Sequence, residues 1–478
     1  MKTKTKRFLT LLLTFGIVLS CAACGNSSET NSEQKSSTAF NSADSKESSK
    51  SETSKTSSES KNDGSEDESS MEQSQKTWPY VTGTFLQPGA FASFGKNQWK
   101  THFKNLLEVG IDTVIVQWTS TTPYGKFIDA FYPSEYAKTH KGNEYSEKPM
   151  MLENMLSVAE EMKIKVFVGL NISDEWWEFA ASKSEWNKLQ GEVGIESAKE
   201  IYSLYKQKYP KALHGWYFAW EMFNGMMGYE DKAAELLNCY LDPLKVLDAS
   251  MPLMLSPYVR SNGGDAKKAG EEWTKVFKTA NFREGDIFCC QDAVGAGWIK
   301  IDQLDSYFSE LKKAVETEKG LHFWANNENF DQSDWSSAYI DRFVQQMNIA
   351  SKYVENYITF AYSHYYAKDF NNKGAFHRAY KLYYDTGMKT SFDIEKPQLS
   401  VVKSGEKIEL TININQSAAG IEKVVIYGDD KVLKTIKVPI SSLGAKTLKF
   451  TEAFDKCANY KVVINDYFGN KSESTINS

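Results

Sequence analysis

Between Trp78 and about Ile394 the chain carries eight short runs rich in Val, Ile, Phe, Tyr and Leu, and that count constrains the fold more than any other feature. In order the runs are "VTGTFLQ", "DTVIVQW", "KVFVGLN", "GWYFAWE", "MPLMLSPY", "DIFCCQD", "LHFWANNE" and "YITFAYSH". Several of the segments between them have apolar residues at helical spacing: "NQWKTHFKNLLEVG", "MLENMLSVAEEM", "ESAKEIYSLYKQKY", "KAAELLNCYLDPLKVL", "IDQLDSYFSELKKAVETEKG" and "SAYIDRFVQQMNIASKYV". Strands without clean apolar/polar alternation, separated by helices, belong to a parallel sheet buried on both faces. Eight such units predict an α/β fold, a closed (β/α)₈ TIM barrel over 78–394. The rival, an open doubly wound sheet, would announce a nucleotide site in its first strand-to-helix turn, and "VTGTFLQPGAF" has no such glycine pattern. "VGAGW" at 294–298 follows the sixth strand, lacks the third glycine and reads as a tight loop.

The texture changes at both ends. From about Pro397, "KIELTININQ", "IEKVVIYGDDKVLKTIKV", "TLKFTEAF" and "YKVVINDYFGN" alternate apolar and polar residues, which predicts a small all-β immunoglobulin-like sandwich over 395–478. At the other end, a basic start, an apolar stretch from Phe8 to Leu19 and the box "CAAC" before Gly25 read as an export signal over 1–24. The box resembles a bacterial lipoprotein cleavage site with Cys24 as the lipidated residue; Cys21 is the competing choice and ordinary cleaved secretion the alternative. Residues 25–77 are Ser, Glu, Lys, Asp and Asn with almost no large apolar side chain. They cannot bury enough surface to fold, so they read as a tether, spanning roughly 40 Å as a coil. The expected location is the extracellular face of a bacterial cell membrane, reached through a lipid anchor.

Composition excludes several functions. The formal charge of −6 is small for 478 residues, and nothing forms the basic stripe that nucleic acid requires. The six His are scattered, without HExxH or paired spacing, so no metal or cofactor is expected. Cys239, Cys289, Cys290 and Cys457 have no regular spacing and imply no disulfide framework. Oligomeric state is not written in the sequence.

In barrel enzymes the active site lies at the carboxyl ends of the strands, so the last residue of each run is the informative one. These are Gln87, Trp118, Asn171, Glu221, Tyr258, Asp292, Glu328 and His364, all polar or aromatic. Glu221 closes the fourth run and Glu328 the seventh, on opposite sides of the expected mouth. Two carboxyl groups facing each other across a cleft are what glycosidic bond hydrolysis uses. The apolar setting "WYFAWE" favours a proton on Glu221 by desolvation, which makes Glu221 the general acid/base and Glu328 the nucleophile. Asp292 could replace either glutamate. Gln87, Trp118, Asn171, Tyr258, Asp292 and His364 are the expected substrate-binding residues, with Trp118 and Tyr258 as stacking platforms for sugar rings. Trp176, Trp177, Trp298 and Tyr362 are further aromatics near strand ends.

The stretches "GTFLQ", "GIDTVIVQW", "GWYFAWE" and "QDAVGAG" together resemble the glycosyl-hydrolase-like barrels grouped as domain of unknown function 4434, over roughly Val81 to Tyr366. More distantly, glutamates ending strands four and seven are similar to the pair of clan A retaining glycoside hydrolases. That resemblance implies Glu221 as acid/base and Glu328 as nucleophile. It departs at one place: the clan usually carries Asn before the acid/base, and here Trp220 precedes Glu221. The expected function is a surface-tethered hydrolase of an extracellular or cell-wall glycan; the alternative is a non-catalytic carbohydrate-binding lipoprotein using the same cleft.

Overall fold

The computed structural model describes residues 76–179, 181–226, 228–369, 374–387 and 394–478. The export signal, Cys24 and nearly all of the tether expected from the sequence lie outside the described residues.

Eight parallel strands close on themselves. They are β1 (Gly83–Leu86), β2 (Thr113–Val116), β3 (Lys165–Gly169), β4 (Leu213–Phe218), β5 (Leu253–Leu255), β6 (Ile287–Gln291), β7 (His322–Glu328) and β8 (Asn356–Phe360). Each pairs with its neighbours in sequence, and β8 returns to β1 with Gly83 opposite Ile358 and Thr84 opposite Thr359. The strand bodies read as continuous apolar runs because both faces are buried. Phe85, Ile115, Phe167, Tyr217, Met254 and Cys289 fill the barrel interior. Alternate residues such as Val114, Val166, Trp216, Leu253 and Phe288 pack outward against the helices. Gly215 faces the interior, and a Cβ there would come within 2.5 Å of the Phe167 ring. Its bare backbone therefore makes room for that ring on the barrel axis.

A helix follows every strand: Lys96–Leu107, Met150–Met162, Ser184–Tyr205, Glu230–Leu247, Ala266–Thr279, Leu304–Val315, Ile340–Ala350 and Gly374–Thr386. The Ala266–Thr279 helix, not among the expected ones, is capped by Asp265 accepting from Lys268 N at 2.9 Å. Two additions build up the mouth. Loop segments Lys141–Glu147, Phe127–Ala130, Ser120–Thr121 and Asn171–Ile172 form a four-stranded sheet beyond β2 and β3, and Phe330–Asp331 pairs with Ser336–Ser337 beyond β7.

The C-terminal region is a β-sandwich. Its strands are β9 (Gln398–Ser404), β10 (Lys407–Asn415), β11 (Ile421–Gly428), β12 (Lys431–Lys437), β13 (Thr447–Asp455), β14 (Asn459–Asp466) and β15 (Lys471–Asn477). The sheet β9-β10-β13 faces β12-β11-β14-β15. Period-two alternation places Ile408, Leu410, Ile412, Val424, Ile426, Val462 and Ile464 in one core between them. The sandwich is packed onto the barrel rather than hung from it. Ala419, Tyr467 and Phe468 belong to the barrel's outer core, Tyr467 meets Phe376 edge-on at 5.0 Å, and Asp341 N donates to Phe468 O at 2.9 Å.

Candidate active site

The carboxyl ends of the strands surround a cavity of about 490 Å³. Glu221 and Glu328 both line it, with Gln87, Gln117, Gln291 and Gln332 as uncharged polar groups and a large aromatic share.

Glu221 lies three residues beyond β4, where the backbone still follows the sheet. Phe223 bridges to Tyr258 and Tyr258 to Gln291 at the end of β6, so the connections after β4 and β5 keep register past their strand ends. Tyr258 N donates to Met222 O at 2.9 Å, and Trp176 Nε1 donates to Glu221 O at 3.2 Å. Buried Glu272 then pins the outgoing loop, its Oε2 accepting from Gly225 N at 2.5 Å and Met226 N at 3.3 Å. Desolvation in this aromatic setting pushes the Glu221 carboxyl from 4.5 up to about 7, and a hydrogen bond from Gln291 offsets part of the rise. Trp220, which stands where the clan carries Asn, is 1% exposed and turned away from the cavity. Its Nε1 donates to Tyr240 Oη at 2.9 Å, so it offers nothing to a sugar hydroxyl.

Glu328 is the last residue of β7 and is 1% exposed. The "VGAG" turn serves it directly: Ala296 N donates to Glu328 Oε2 at 2.6 Å. A Cβ on Gly295 would lie 2.3 Å from Phe330 O and 3.0 Å from Glu328 Oε2, so only glycine permits this approach. Behind Glu328 sits Asp292. Its Oδ2 accepts from Asn327 Nδ2 at 2.9 Å, Gln346 Nε2 at 2.5 Å and Glu328 N at 3.3 Å; its Oδ1 accepts from Val294 N at 3.2 Å. Burial raises the proton affinity of both acids, and the charge of Asp292 adds to the rise at Glu328. With four N–H donors against one, Asp292 is the member of the pair equipped to stay ionised, and the proton goes to Glu328.

Of the residues expected from the sequence, the fold brings Gln87, Trp118, Glu221, Tyr258 and Glu328 together on the cavity wall, along with Trp176, Trp177 and Trp298. Asn171, Asp292 and His364 are not among the wall residues: the first two are fully buried, and His364 is half-buried and bonded to Gln87. Asn171 is fully buried, its Nδ2 donating to Gln190 Oε1 at 2.9 Å and its Oδ1 accepting from Tyr240 Oη at 2.8 Å. Its amide is thus used inside the scaffold. Asp292 is fully buried under Glu328. His364 Nε2 accepts from Gln87 N at 3.0 Å, and desolvation lowers its proton affinity to about 3, so it is a neutral acceptor steadying Gln87. Tyr362 is buried with its hydroxyl 2.9 Å from His377 Nδ1.

Gln117, Gln291, Ser173, Gln332, Phe330 and Trp335 are wall residues that reading the strand-end residues alone leaves out. The aromatics pair into platforms: Tyr258 stacks on Trp298 at 6.1 Å and 28°, and Phe330 on Trp335 at 5.7 Å and 8°.

Residues 81–373 match the family model described as Domain of unknown function (DUF4434). No curated protein matches the chain. Among solved structures, a protein of Bacteroides thetaiotaomicron VPI-5482, provisionally described as an alpha-L-fucosidase, superposes with a TM-score of 0.54 at 24% identity, covering 66% of this chain and 97% of its own. That likeness establishes a shared fold. An endo-beta-1,4-mannanase of Thermotoga petrophila is also similar, at 13% identity and a TM-score of 0.43, covering 84% of this chain and 97% of its own. So is an alpha-L-arabinofuranosidase of Thermotoga maritima, at 9% identity and a TM-score of 0.38, covering 83% and 94% respectively.

Proposed function

We propose that this chain, which belongs to the DUF4434 family, is a glycoside hydrolase that acts through Glu221 and Glu328. The observation that carries this reading is that two carboxyl groups, delivered by the ends of β4 and β7, line one aromatic cavity and interact electrostatically. Glycosidic cleavage needs one carboxyl to protonate the departing oxygen and a second, ionised, to meet the positive charge that develops on the sugar.

The surroundings favour a division of labour opposite to the one expected from the sequence. Ionised Asp292 beneath Glu328 keeps a proton on Glu328, which then acts as the acid for the leaving oxygen. Glu221, lacking such a neighbour and titrating at about 7, supplies the ionised partner. The stacked pairs Tyr258–Trp298 and Phe330–Trp335 offer flat apolar surfaces for sugar rings, while the four glutamines meet hydroxyls. Cys24, the Ser-rich segment and a lipid anchor would hold this domain on the outer face of a cell membrane, within reach of extracellular or cell-wall glycan.

The test is reducing-end release from a panel of polysaccharides and aryl glycosides, with the Glu221→Gln/Glu328→Gln double variant as control. The reading expects at least one substrate turned over by the wild-type protein and not by the variant. Binding of glycan without turnover by the wild type would instead establish the non-catalytic alternative.

A further inference from the structure

The cavity wall also restricts the charge of what can enter it. Among the described residues, the wall contains Glu221 and Glu328 but no Lys, Arg or His. The two nearby arginines stand behind the wall, Arg260 hydrogen-bonded to Tyr258 and Arg342 with its charge set against Asp292 and Glu328. The Arg260 guanidinium lies over the Phe223 ring at 4.0 Å, with its Nε donating to Asn224 O at 3.2 Å, and Arg342 Nη2 donates to Phe330 O. Neither lines the cavity. Asp292, fully buried beneath Glu328, adds a further negative charge to the same field.

Hydrogen bonding points the same way. Gln117 is 7% exposed, and its buried Oε1 accepts no hydrogen bond from any described residue. A buried acceptor of this kind is satisfied by a hydroxyl that donates; a carboxylate, which only accepts, leaves it unpaired. Gln87 and Gln332 each combine a donor and an acceptor, matching the dual character of sugar hydroxyls, while Gln291, whose amide N–H groups go to Ser256 O and Glu221, offers its carbonyl. A sugar acid would have to surrender its hydration beside existing carboxyl groups with no cation on the wall to pair with, since the charge of Arg342 is already set against Asp292 and Glu328, and that is a costly arrangement for any buried charge.

We infer that the cavity is a site for uncharged sugars, built from amide hydroxyl-partners and aromatic platforms around two carboxyl groups, and that it rejects uronic and sialic acids. This inference rests on the carbohydrate reading of the site proposed above but not on catalysis. The experiment is a glycan array probed with the full-length Glu328→Gln protein, in which Glu221 and Asp292 keep their carboxyl groups, and with the wild-type protein at low temperature in parallel should that variant fold poorly. Calorimetry then compares every neutral hit with its counterpart oxidised to the carboxylate at C6.

The inference expects hits among neutral glycans only, and binding weakened on the order of a hundredfold by the C6 carboxylate. Neutral binding with no turnover by the wild type would sink the hydrolase reading and leave this one standing. Equal or tighter binding of the acidic partner, or an array without a neutral hit, overturns it.

Discussion

Glu221 should make the protein less stable as pH rises, and removing its charge should reverse that. In the unfolded chain this carboxyl ionises near its ordinary 4.5; in the fold desolvation holds the proton until about 7. The sign follows from the proton balance. Below 4.5 both states are protonated and the residue has no pH-dependent effect. Between 4.5 and about 7 the native state holds a proton that the unfolded state has released, so stability falls with pH; above about 7 both are ionised and the cost is constant. At about 1.36 kcal/mol for each pH unit, the accumulated cost is about 3 kcal/mol. Glu221→Gln can still accept from Gln291 but does not titrate. Urea unfolding of both proteins at half-unit steps from pH 4.5 to 8 should show the variant gaining about 3 kcal/mol on the wild type across the window, then running parallel to it. A gap that stays constant within about 0.5 kcal/mol over that range would mean that Glu221 titrates as an ordinary carboxyl, and the desolvation argument would fail.

The same electrostatics should shape the pH profile of the proposed hydrolysis. With Glu221 as the ionised partner, kcat/KM should rise with pH through about 7; a rate that instead falls through that value would restore Glu221 as the acid and refute the role of Asp292. At the opposite end of the barrel, buried Asp286 accepts from Arg283 Nη2 and from Leu253 N, each at 2.7 Å, where β5 and β6 begin. Asp286→Ala strands the guanidinium and should cost about 3–5 kcal/mol in chemical unfolding while leaving the pH profile of the folded fraction in place. A loss under 1 kcal/mol would contradict the buried pairing.

Much of this was legible in the residues, and the limits have identifiable causes. The eight runs and six of the eight helices followed from periodicity, because a strand buried on both faces leaves an apolar run bounded by polar ends; the helices Ala266–Thr279 and Gly374–Thr386 did not. Counting by two from the interior residues goes further. Tyr217 and Ala219 lead to Glu221, Trp324 leads to Glu328, and Cys289 leads to Gln291 rather than Asp292, which the fold turns outward toward Asn327 and Gln346. That parity could have singled out Gln117 and Gln291 as wall residues and Asp292 as a support. It fails at Asn171, where the chain breaks at Leu170 and restarts as a short strand paired with Ser120 and Thr121. Asn171 then points to Gln190 and Ile172 takes the inner position. His364 leaves the parity for a similar reason, since β8 ends at Phe360 and the four residues that follow have left the sheet. The sheet built from 120–147 and the hairpin that carries Trp335 depend on loop–loop pairing, which leaves no periodic signature in sequence.

The most direct measurement is turnover by Glu221→Gln and Glu328→Gln, each alone, on a glycan that the wild-type protein hydrolyses, with folding checked by the unfolding curves described above. A proton donor and an ionised partner each contribute to the transition state, so each single variant should lose about 10²–10⁴-fold in kcat. Hydrolysis within about twofold of wild type in either variant would remove that glutamate from the chemistry and contradict the paired-carboxyl account.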